Sequence, residues 1–138
     1  MIKTRTIPIL NQVDIHAARM YTREAARLVG LELNEQAQVS MATSSLADCL
    51  KMGLPVQATQ GQPAQTNQII IKVIENGRMG LQVDFETLNI SNSDAIQFQL
   101  KRIQSLVDEI KVEQLPSGLV RVIMIKWGRQ AVASSMPN

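Results

Sequence analysis

Apolar positions recur along this chain with two different periods, and the switches between them divide it into elements. "TRTIPIL" (4–10) has strand composition, and Pro8, which cannot donate to a ladder, puts that strand at a sheet edge. "VDIHAARMYTREAARLVG" (13–30) predicts a helix that starts at Val13 or Asp14 and stops where Gly30 supplies a left-handed residue. A second helix follows. Asn34 is its N-cap and Glu35 suits its positive end, while Val39, Ala42, Leu46 and Leu50 form a stripe that Gly53 and Pro55 terminate. "IIIKVI" (69–74) and "LQVDFET" (81–87), joined through Asn76-Gly77, predict a hairpin in which Leu81, Val83 and Phe85 alternate with Gln82, Asp84 and Glu86. The stretch from Ser91 to Ile110 predicts a third helix on Ile96, Leu100, Ile103 and Val107, and Ser91 or Ser93 caps it. "IKVEQL", "PSG" and "LVRVIMIKW" then make a second hairpin.

The order is β-α-α-β-β-α-β-β, with no internal repeat. It implies an α+β fold: a two-layer sandwich with a mixed, mostly antiparallel sheet and three helices on one face. Residues 1–128 form a single domain and 129–138 a flexible polar tail. Residues 54–68, uncharged and rich in Gln and Pro, are the one long loop, of functional use or a plain insertion.

Composition narrows the classes. The chain has 138 residues, 45% hydrophobic and only 3% aromatic, so its core rests on Ile, Val, Leu, Met and Ala. A net charge of +2 without a Lys/Arg run argues against nucleic-acid binding. One cysteine excludes an internal disulfide and suits a reducing compartment. No stretch is apolar enough for a signal peptide or a membrane span, so a cytoplasmic location is expected.

Candidate chemistry is sparse. His16 and Cys49 are the only strong zinc-type ligands, too few for the usual four. The same two residues would have to meet for a Cys–His nucleophile pair, and Cys49 lies on or beside an apolar stripe. No glycine-rich phosphate loop occurs. Arg19, Arg23 and Arg27 recur every four residues as a basic stripe, which a solvated helix face also explains.

The first helix resembles the opening helix of the anti-sigma and switch-type serine/threonine kinases, small bacterial members of the Bergerat fold related to histidine-kinase ATPase domains. Asp14, Ile15, Ala18, Arg19, Arg23 and Gly30 fall on the family pattern D-I-x-x-A-R-x-x-x-R-x-x-A-x-x-x-G-F, with Leu31 in place of the aromatic. Gln36, Ala37, Ala42, Ser44, Leu46 and Ala47 match the family's second helix. "SLVDEIKV" and "PSGLVRVIMIKW" are similar to its later stretches, so the resemblance covers residues 5 to 127.

The departures fall on the nucleotide site that the resemblance implies. Ser45 stands at the position of a glutamate base, although serine is a poor base near neutral pH. Cys49 stands at the position of an asparagine that holds Mg²⁺, a metal that demands hard oxygen. "DFETLNISNSD" lacks the glycines of the adenine-binding segment; Glu86 and Asn89 occupy that region, Glu86 as the one stand-in for the family's aspartate. "AIQFQLKR" replaces the glycine-rich lid. The resemblance therefore implies a retained fold with no catalytic residues, no metal, and ATP and Mg²⁺ binding lost. The function expected is a regulatory protein that binds STAS-domain proteins, sigma factors or PP2C-type phosphatases. Asp14, Arg19 and Arg23 are the partner-binding candidates, the arginines through their multi-donor head groups. A divergent ATP-dependent kinase and a homodimeric structural protein are the alternatives.

Overall fold

Element boundaries follow from where the backbone finds its hydrogen bonds. The computed structural model describes residues 4–53, 67–87, 93–116 and 118–131. Within them the order is β1 (Thr4–Ile9), α1 (Gln12–Leu28), α2 (Leu33–Cys49), β2 (Asn67–Glu75), β3 (Arg78–Thr87), α3 (Ser93–Gln104), β4 (Glu109–Gln114) and β5 (Val120–Ala131). This is the order expected from the periodicities.

The helix ends differ from expectation in instructive ways. Asn11, not Val13 or Asp14, caps α1: its Oδ1 accepts from the Val13 and Asp14 amides at 2.9 and 3.4 Å. The Asp14 carboxylate reaches back to accept the Leu10 amide at 2.8 Å. Gly30 ends α1 as predicted, at φ +85, with its amide on Arg27 O and that of Leu31 on Ala26 O, both 3.1 Å. For α2, Glu32 replaces Asn34 as the cap, and its amide donates to Glu35 Oε1 at 3.2 Å. The same C-terminal pair of bonds closes α2 two residues before Gly53, with Lys51 taking the left-handed conformation at φ 55. Burial of Met52, 0% exposed, explains the early stop, because the residue after the left-handed one packs back on the helix.

The third helix stops at Gln104 instead of continuing to Ile110, because the chain joins the sheet: the Asp108 amide already donates to Ile125 O at 2.9 Å. β5 extends to Ala131, which pairs with Arg78, so the first three residues of the expected tail are strand. Residues 132–138 lie outside the described residues. So do 54–66 of the long loop, whose last two expected residues, Asn67 and Gln68, begin β2.

The sheet order is β1-β2-β3-β5-β4, and all four pairings are antiparallel. The mixed sheet expected from the sequence is thus corrected to an antiparallel one among the described residues. The reason is topological: α3 carries the chain from β3 to β4 in the same direction, but β5 lies between them. Ile7, Ile69, Ile71, Val83, Phe85, Val122 and Met124 join Ile15, Val39, Leu46 and Ile103 in one buried cluster. In each strand these residues alternate with others outside the cluster, so one face of the sheet meets the helices. Ala18, Ala26, Ala42 and Ala47 are almost wholly buried, and their small side chains let α1 and α2 pack closely despite the scarcity of aromatics.

The opposite face is not a simple polar surface. Asp84 and Glu86 are buried there, each tied to cross-strand neighbours. Lys72 Nζ lies 3.0 Å from Asp84 Oδ2, and Arg121 Nη2 lies 2.7 Å from Glu86 Oε2. Gln68 also donates to Glu86, and Ile123 and Ile125 fill the space beside the pairs.

Candidate functional site

The expected pocket residues separate into two groups. Ser45 and Cys49 lie one turn apart on α2 and line a cleft of about 460 Å³ between α2 and α3. Met41, Ala42 and Asp48 complete the α2 wall, and Gln99, Arg102, Ile103 and Leu106 form the α3 wall. Burial pushes the Cys49 thiol above its ordinary pKa, so it is a protonated thiol near neutral pH and not an activated nucleophile.

Glu86 does not belong to this cleft. Strand alternation puts Phe85 and Thr87 on the helix face and Glu86 on the other. Burial raises its pKa, but hydrogen bonds from Gln68 and Arg121 and the charges of Arg121 and Lys72 outweigh this and hold it below the usual carboxylate range. Arg121 is held above its ordinary pKa, first by its hydrogen bond to Glu86. Glu86 is therefore a fixed anion in an ion pair, which corrects its expected place in the pocket. Asn89 lies outside the described residues.

At the end of β3 the inward residue is Thr87, whose hydroxyl donates to Asn67 Oδ1 at 2.9 Å. Asn67 Nδ2 in turn donates to Met52 O at 3.3 Å. This buried chain of neutral groups ties β3, β2 and the end of α2 together.

The cleft's donor set does not fit Mg²⁺-ATP. Mg²⁺ takes hard oxygens in near-octahedral order, and the position that the resemblance gives to its ligand presents sulfur. Asp48 is the one carboxylate in the lining, and it stands one position before the residue that the resemblance gives to the metal ligand. Every buried side-chain nitrogen and oxygen among the described residues has a hydrogen-bond partner. Nor do three or more His, Cys, Asp or Glu side chains converge among the described residues.

The partner-binding candidates also separate. Asp14 is half-buried and engaged with the Leu10 amide, which makes it a clamp between β1 and α1. Arg19 and Arg23 are exposed on α1 and form no ion pair among the described residues, whereas Arg27 pairs with Glu24 at 2.9 Å. Beside them lies an apolar stripe that the sequence reading missed. Val13, Met20 and Leu28 are 74%, 61% and 52% exposed and share one side of the helix, with the exposed Glu24 between Met20 and Leu28 and Tyr21 at the border. Its signal is the spacing of Val13, Met20 and Leu28, which Glu24 interrupts. Asp48, Gln99 and Arg102 of the cleft were also missed, although Gln99, Arg102, Ile103 and Leu106 recur at helical intervals.

No protein-family model matches this chain, and no curated protein matches it. Among the described residues no helix is long and apolar enough to cross a membrane.

Proposed function

We propose that this chain is a non-catalytic regulatory binding protein of the anti-sigma or switch-kinase type, a Bergerat-fold member that has lost ATP and Mg²⁺ binding. Its partner is a STAS-domain protein, a sigma factor or a PP2C-type phosphatase, as the resemblance of its first two helices implies. The observation that carries the reading is the outer face of α1, where exposed Val13, Met20 and Leu28, interrupted by Glu24, run beside Arg19 and Arg23. Apolar side chains lined up on one face, with a cationic border, mark an interaction surface more than a solvated one. The donor set between α2 and α3 adds support, since it lacks a base and a hard metal ligand at the positions where the kinases carry them.

The test is affinity capture from the source cell with the wild-type chain and with Arg19→Ala and Met20→Glu. The wild type is expected to recover one of the three partner classes, and each substitution to weaken that recovery at least about tenfold, the loss typical of an interface hot spot. Recovery of none of the three, or equal recovery by the variants, overturns the proposal.

A further inference from the structure

β4 is the last strand of the sheet, so one side of its backbone has no strand partner among the described residues. Register against β5 fixes its faces: Ile110 and Val112 lie opposite Met124 and Val122, on the helix side, while Lys111 lies opposite Ile123 on the other. α3 does not cover this edge. A groove of about 410 Å³ separates Leu100, Lys101 and Gln104 from Ile110, Lys111 and Val112, and Val112 is 39% exposed. A lysine on an edge strand ordinarily guards against pairing. In "EIKVEQ" that guard is cancelled by Glu113, two residues further on the same face.

We infer that β4 pairs with β4 of a second copy of this chain, antiparallel about a two-fold axis through Val112. In that register Lys111 faces the second copy's Glu113 and Glu113 faces its Lys111, so two opposite-charge pairs form at once. Val112 meets its own copy on the axis, which covers the side chain that α3 leaves open. Glu113 already lies 3.6 Å from Arg121 Nη1, so the incoming lysine extends a cation–anion–cation row. The neighbouring registers fail. An axis through Lys111 sets lysine against lysine and Glu109 against Glu113, and an axis through Glu113 sets glutamate against glutamate; an axis through Ile110 pairs Glu109 with Lys111 but sets Val112–Gln114 against residues 106–108, which belong to no strand. The other edge, β1, offers no such code: it has Pro8 and no acidic residue, and Arg5 is already bonded to Tyr21.

Pairing along so short a strand belongs to the class of small, weak interfaces, with a dissociation constant on the order of 10–100 µM. Sedimentation velocity on the full chain from about 5 to about 500 µM brackets that range. The expected result is a concentration-dependent dimer that Lys111→Glu and Glu113→Lys each weaken at least about tenfold, because either change makes both pairs repulsive. An equimolar mixture of the two variants must recover a dimer, since the glutamates of one chain then face the lysines of the other. Both sites are at the surface, and circular dichroism on each variant checks that it folds. A chain that stays monomeric, a dimer indifferent to both substitutions, or a mixture that fails to recover each overturns the inference.

Discussion

Arg121→Leu isolates the ion pair that closes the outer sheet face. The substitution removes a guanidinium that lies 2.7 Å from Glu86 and 3.6 Å from Glu113. Glu86, with its side chain 8% exposed, then keeps the hydrogen bond from Gln68 and the more distant charge of Lys72. Breaking a fully buried pair by deleting one partner costs about 3–5 kcal/mol. Arg121 is 30% exposed, so water reaches the carboxylate once the guanidinium is gone, and a loss of about 2 kcal/mol is the fair expectation. The pH dependence gives the sharper test. In the wild type the folded pKa of Glu86 is depressed, so its contribution is present above the unfolded value and is lost as pH falls through the folded one. In the variant the two contributions of Arg121 are gone, and burial, opposed only by the Gln68 hydrogen bond and the Lys72 charge, moves the folded pKa upward from its wild-type position. The variant therefore gains on the wild type as pH falls from about 7 to about 4.5, and the gap should shrink to under about 1 kcal/mol. Urea unfolding followed by far-UV circular dichroism, with linear extrapolation at both pH values, measures it. A gap below about 0.5 kcal/mol at neutral pH refutes the burial argument. A gap of constant size at both pH values assigns the loss to the packing of the arginine stem instead.

Two further outcomes follow from the same geometry. Mg²⁺-ATP at about 1 mM should leave the melting temperature within about 1 °C of the apo value; a site filled to about 100 times its dissociation constant adds about 2.7 kcal/mol, or roughly 8 °C at this chain length, and such a shift would falsify loss of nucleotide binding. Lys51→Gly should raise stability by about 0.5–1 kcal/mol in the same urea assay, because Lys51 is held at φ 55 in a position that favours glycine; a destabilisation would show that its side chain matters more than its backbone.

The sequence announced element type far better than element ends, and the residues show why. The alternation of Leu81, Val83 and Phe85 with Gln82, Asp84 and Glu86 is a property of β3 alone, so it was legible. The same alternation already sets Glu86 opposite Phe85, and assigning it to the nucleotide pocket overrode a correct local rule. That Glu86 and Asp84 are buried at all was not legible, because their partners come from β2 and β5 through a register that no single segment encodes. α2 closes on a left-handed Lys51 and not on Gly53 because Met52 finds a place in the core, and α3 ends early because Asp108 finds β5. In both cases tertiary burial decided between two locally acceptable stops. The cleft behaved likewise: Ser45 and Cys49 were found on α2, whereas its α3 wall required knowing how two helices meet.

The two proposed surfaces occupy opposite ends of one sheet. α1 packs over β1, β2 and β3, and β4 is the far edge beyond β5. A dimer joined through β4 therefore leaves both α1 stripes uncovered, on the same face and at the two far ends of a continuous ten-stranded sheet, two sheets of the five-stranded kind seen in one chain. Each stripe can then hold a partner without competing with self-association, and two stripes in one particle raise the apparent affinity for any partner that is itself clustered. The two readings also fail independently. Met20→Glu must leave the sedimentation of the chain unchanged, and Lys111→Glu must leave the number of partners bound per chain unchanged. If either substitution disturbs both properties, α1 and β4 are not separate surfaces, and the division of labour between the two ends of the sheet is wrong.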